Sequence, residues 1–132
     1  MSVLLALLIA QIPPAPSGRE LQFGDVEIVD PIAPMVLRYM QCIRTSLNER
    51  GGMNTSDRPR FRRSVDSAIR ACAETRTLDV VHADQALSLA SDYQDAERRN
   101  LAIRHAFEGS EQQLRDMPEI MDRIRQQRTE SR

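Results

Sequence analysis

The 132-residue chain has no lysine and no tryptophan, and it has two cysteines, five glycines and five aromatic residues: Phe23, Tyr39, Phe61, Tyr93 and Phe107. All 18 basic residues are therefore arginine, which a GC-rich coding bias explains. Scarce aromatics leave Leu, Ile, Val, Met and Ala to build the core, and this suits packed helices better than a β-sandwich. The few glycines form no phosphate-cradling loop. The two cysteines, Cys42 and Cys72, are not spaced as C-x-x-C, which argues against a redox-catalytic pair. Only two histidines occur. His105 and Glu108 share the three-residue spacing of carboxylate-bridged metal sites, but such a site needs a matching motif on a second helix, and His82 has no Glu three residues on. The sequence thus offers no metal ligand set, no cofactor cradle and no catalytic residues. Aspartates and glutamates alternate with arginines, as on a solvated, salt-bridged helix surface. No family's diagnostic motifs appear.

What is present is a helical pattern. The length suits one domain, and the 41% hydrophobic and 28% charged fractions are those of a soluble globular chain. We expect an all-α fold, a small bundle of four to five helices around a helical hairpin, with an extended N-terminal arm. Residues 1–17 read as a signal peptide: Val3 to Ala10 is an unbroken apolar run, and Ala15 and Ser17 form a small-x-small cleavage site before Gly18. The basic start of such a signal is missing, so a buried N-terminal element of a cytosolic protein stays open. The run is too short to cross a bilayer, which takes about 20 residues. Residues 18–33 read as the arm, with Val26–Val29 extended but without a partner strand.

The helical domain is expected over residues 34–128, with 129–132 a frayed tail. Pro34 suits a first turn. Val36, Met40, Ile43 and Leu47 then recur on one face, with Leu37 and Tyr39 flanking, and Gly51-Gly52 ends the helix. Thr55, Ser56 and Asp57 are candidate caps for a second helix, with Pro59 in its first turn and an apolar face of Phe61, Val65, Ala68, Ile69 and Cys72. That helix is expected to end near Arg76. A third carries Ala83, Ala86, Leu87 and Ala90, and a fourth Ala96, Leu101, Ile103, Ala106 and Phe107, with Gly109 as its stop and Ser110/Gln113 as a capping box for the last. The last helix repeats Leu114, Met117, Met121 and Ile124, with a restart at Pro118.

Cys42 and Cys72 are expected to form a disulfide stapling the hairpin; two buried free thiols is the reading for a reducing compartment. Their depths differ: Cys42 lies about eight residues from the end of its helix and Cys72 about 13–15 into the next, an offset of roughly 8–10 Å. A tilted crossing, a longer loop or a late start of the second helix is needed. A late start would also relieve Arg58, Arg60, Arg62 and Arg63, which crowd a helix N-terminus where cations are disfavoured. Alternatives are neutralisation by acids such as Glu49, Asp57 or those of the C-terminal half, or an anion-binding patch made of the four arginines. Charge is unevenly spread: residues 38–76 carry nine Arg against four acids, and residues 77–132 eight Arg against eleven. The net charge of −1 and the single aromatic among these arginines argue against nucleic acid.

The expected function is binding without catalysis, in the periplasm or outside the cell, with an unidentified protein or an anionic envelope component as partner. A cytosolic helical regulator with reduced cysteines, dimerising through the Met117–Ile124 stripe, is the alternative.

Overall fold

The computed structural model describes residues 21–23, 26–52 and 54–132. The expected signal peptide, residues 1–17, and the first residues of the expected arm lie outside them. The fold is all-α: α1 (Ala33–Glu49), α2 (Arg58–Ala71), α3 (Ala73–Ser88), α4 (Ala96–Arg115) and α5 (Met117–Glu130). Two short strands precede them, β1 (Leu21–Phe23) and β2 (Val26–Ile28), paired antiparallel with Leu21 opposite Ile28 and Phe23 opposite Val26. The arm thus supplies its own partner strand, contrary to the expectation of an unpaired stretch. Val26 and Ile28 are buried, and β2 lies on α4. A 3-10 turn at Asp30–Ile32, opened by Pro31, seats Ile32 in the core and leads directly into α1.

The core is the expected set with small exchanges. From α1 it takes Val36, Tyr39, Ile43 and Leu47; from α2 Phe61, Val65, Ala68 and Cys72; from α3 Ala83 and Leu87; from α4 Ile103, Ala106, Phe107 and Leu114. Met40 and Ile69 are only partly buried, and Leu37 faces solvent. Burying a large apolar side chain contributes about 1.5–3 kcal/mol, so this cluster, gathered from four helices, dominates the fold's stability.

Helix boundaries differ from the expectation at three places, each for a local reason. The second helix does not run to Arg76: α2 ends at Ala71, Cys72 caps it with φ −99° and ψ 16°, and α3 starts at Ala73. Leu78–Val81 therefore belongs to α3. Gly109 does not end α4. It is an interior position where a Cβ would lie 3.1 Å from a Val26 methyl, so the missing side chain lets the strand approach the helix. Ser110 caps nothing, since its Oγ bonds back to the Ala106 carbonyl at 2.7 Å. At the last helix the restart is as expected, with Asp116 between the two helices and Pro118 in the first turn of α5. That helix continues to Glu130, into the 129–132 tail that the sequence predicts to fray.

Candidate functional site

The staple comes first because it positions the rest. Cys42 and Cys72 are disulfide-bonded, with Cα atoms 6.1 Å apart and 30 residues between them along the chain. The depth mismatch is real: Cys42 is seven residues short of Glu49, and Cys72 is 14 beyond Arg58. A late start of α2 does not resolve it, because α2 begins at Arg58. The connection does. Gly51 and Gly52 adopt φ values of +110° and +79°, which L side chains rarely take, and they end α1 abruptly. Asn54 then forms a local turn, its Oδ1 accepting from the Ser56 amide at 3.0 Å. The link over residues 50–57 is long enough to let α2 begin beyond the end of α1, as the offset of the two cysteines requires. Cys72 meets Cys42 where α2 breaks into α3, so one bond ties three helices.

The arginine-rich start of α2 stays crowded, and its first turn holds no acidic residue. Asp57 supplies the nearest negative charge as the N-cap, its Oδ1 accepting from the Arg60 amide at 3.1 Å. The four arginines then divide. Arg58 pairs with Asp122 and, at 3.9 Å, with Glu119; Arg62 pairs with Glu119. Both acids stand on α5, so this pairing is a clasp between the first turns of α2 and α5. Its members are between a third and a half exposed, and each such surface pair contributes about 0–1 kcal/mol. Arg60 and Arg63 are exposed and have no acidic partner among the described residues. Seven residues beyond Arg63, on the same side of the helix, Arg70 is likewise exposed and unpaired among them.

Two carboxylates are buried, and the sequence did not single them out. Asp79 accepts from Arg38 Nε at 2.8 Å, and the Arg38 guanidinium also lies 3.3 Å from His82 Nδ1. That ion pair holds the Arg38 proton above the ordinary arginine range. Glu111 Oε1 accepts from the Tyr39 hydroxyl at 2.6 Å and from Arg76 Nε at 2.9 Å. The Arg76 guanidinium also stacks on Phe107, 5.7 Å from the ring centre, and Tyr39 packs against the same ring at 5.5 Å. Burial first, and then the bond to Glu111, pushes the Tyr39 hydroxyl well above its usual value. A polar residue at an i, i+4 core position was the available signal: Glu111 follows Phe107 by four, and Asp79 precedes Ala83 by four.

His82 and His105 do not come together, and among the described residues no group of three or more His, Cys, Asp or Glu could hold a metal ion. Among them no helix is long and apolar enough to cross a membrane. The arrangement can present charge. No family model matches the chain, and no curated protein or solved structure matches it either.

Proposed function

We propose that the protein is a small exported helical module of the periplasm or cell exterior that acts by binding, not catalysis, and that its partner is an anionic envelope component met through the α2 surface. The observation that carries this reading is the pair Arg60 and Arg63, exposed and unpaired among the described residues at a helix N-terminus. Helix dipole and guanidinium charge add there, so an external anion is attracted by both. Arg58 and Arg62 are already engaged with α5, which narrows the four-arginine patch to two free cations, with Arg70 extending it. The Cys42–Cys72 bond supports an oxidising compartment, since such bonds are rare in the cytosol.

Replacing Arg60 and Arg63 by Gln should leave the helical circular dichroism unchanged and weaken binding to phosphatidylglycerol vesicles about tenfold or more in low salt. Parent binding should fade as salt rises. If the double variant and the parent sediment equally with the vesicles, the patch is not the binding surface.

A second reading, a cytosolic adaptor, is favoured by one feature. On α5, Met121 and Ile124 are 37% and 39% exposed, an apolar stripe that a second chain could cover. Intact mass from the native host, with and without reductive alkylation, separates the two readings. A chain beginning at Gly18 that gains alkyl groups only after reduction supports export; a full-length chain with two free thiols supports the adaptor.

A further inference from the structure

The flank of α4 that faces α3 and α2 carries a groove of about 650 Å³ that none of the readings above uses. Leu101, Arg104, Glu108, Glu111 and Arg115 follow one another at alternating steps of three and four, so they form a single stripe along the helix. From Leu101 to Arg115 this stripe is about 21 Å long. Arg76 enters from α3 and lies over Phe107 with its Nε on Glu111. Arg115 is held from α2, its Nε donating to Asp66 Oδ1 at 2.8 Å. In both residues Nε makes the anchoring bond, and the terminal nitrogens have no hydrogen-bonded acceptor among the described residues. Arg104 has none at all among them. Three guanidiniums, two of them fixed in direction before any ligand arrives, therefore line one open groove. An anchored guanidinium loses less freedom on binding an oxyanion than a mobile one does.

Their spacing defines the ligand. Along the α4 axis the level of Arg76, between Phe107 and Glu111, falls about 7 Å from Arg104 and about 9 Å from Arg115. Alternate side chains of an extended peptide project to one side about 6.6–6.8 Å apart, a repeat that flexible arginine stems can follow. Single-stranded nucleic acid needs exposed aromatic platforms, yet the groove is lined by no Phe or Tyr, and Phe107 beneath Arg76 is buried. Leu101, 65% exposed at one end of the groove, offers an apolar contact. We propose that this groove binds an extended acidic segment of a protein partner, with carboxylates at alternate positions facing Arg104, Arg76 and Arg115. The site adjoins α2 through the Arg115–Asp66 pair but uses neither Arg60 nor Arg63, and it does not depend on that reading.

The test uses the oxidised full chain and a fluorescent decapeptide alternating Asp and Ala, followed by anisotropy and by backbone amide shifts at low ionic strength. The peptide is expected to bind and to shift His105, Gly109 and Gln112. Arg104→Gln, which removes no hydrogen bond or ion pair among the described residues, should weaken binding about fivefold or more, while Arg60→Gln/Arg63→Gln should change it less than about twofold. A peptide with Lys in place of Asp should not bind. The proposal is overturned if the acidic peptide gives no response up to millimolar concentration. It is equally overturned if the α2 variant, and not Arg104→Gln, removes binding, or if a thymidine decamer binds more tightly than the peptide. Vesicle binding through α2 is read in a separate assay, so either idea can fail alone.

Discussion

Replacing Cys42 and Cys72 together by Ala should lower unfolding free energy by about 2–4 kcal/mol. The bond closes a loop of 30 residues, and in the chain-entropy account the cost of that closure falls on the unfolded chain. For a domain whose total stability is of order 5–15 kcal/mol, that is a large fraction. The expected drop in Tm is roughly 8–15 °C. Urea unfolding with and without a reductant is the direct check. Reductant should move the parent's midpoint toward that of the double variant and leave the variant where it is. Equal midpoints for oxidised and reduced parent would show that packing alone holds α1 against the α2–α3 junction. The location makes that outcome unexpected. Cys72 stands where one helix has ended and the next begins, so backbone hydrogen bonding is weakest there as a mechanical link.

That break also shows where the sequence was silent. The apolar period that marks α2 runs through Phe61, Val65, Ala68 and Cys72, and α3 continues with helix-compatible residues and no Pro or Gly. Nothing in the local pattern announces the interruption at Cys72, where the backbone leaves helical geometry with φ −99° and ψ 16°. The faces of α1 and α2 were legible for the opposite reason. Burial on one side of a helix writes itself as a 3.6-residue period, and the buried residues from Val36 to Leu47 and from Phe61 to Cys72 carry it. Gly109 misled because a glycine is a stop signal only when its conformation is left-handed. Here it is helical, and its purpose is distance, letting Val26 approach α4. Gly51 and Gly52, which do take positive φ, were read correctly as an end.

The same distinction runs through the charged residues. The crowding at Arg58–Arg63 could be seen in sequence, but its division could not. Glu119 and Asp122 are 57 and 64 residues from their partners and reach them only because α5 folds back toward α2. The groove was half visible. The His105 and Glu108 spacing drew attention to that face of α4 as a metal candidate, whereas its guanidiniums come from both α4 and α3. Arg76 is brought to it by the helix break at Cys72, the feature sequence pattern could not supply.

Arg76→Leu should be the most damaging single change in the molecule, costing about 3–5 kcal/mol. It removes the guanidinium that compensates Glu111, a residue only 7% exposed, and leaves a buried carboxylate whose remaining partner is the Tyr39 hydroxyl. Adding Glu111→Leu to that variant should recover much of the loss, because an apolar pair of similar volume avoids desolvating a charge. Tyr39→Phe alone should cost only about 1 kcal/mol, since the carboxylate keeps Arg76. Urea unfolding of the single and double variants measures the coupling directly, and simple additivity would mean that the three residues do not act as one unit. The pH dependence gives an independent sign. Burial and Glu111 raise the Tyr39 pKa, so the folded chain holds that proton more tightly than the unfolded one does. The corresponding stability is whole below the ordinary tyrosine value of about 10 and is lost as pH climbs from there toward the raised value. Tyr39→Phe should therefore flatten the alkaline limb of the stability curve while leaving its neutral region parallel to the parent's. The network then has two separable roles. The ion pair with Arg76 sets how much stability there is, and the Tyr39 hydroxyl sets where in pH it ends. The guanidinium that serves the first role is also the one lying in the groove of α4, so a variant that removes it alters both the stability and the charge of that groove.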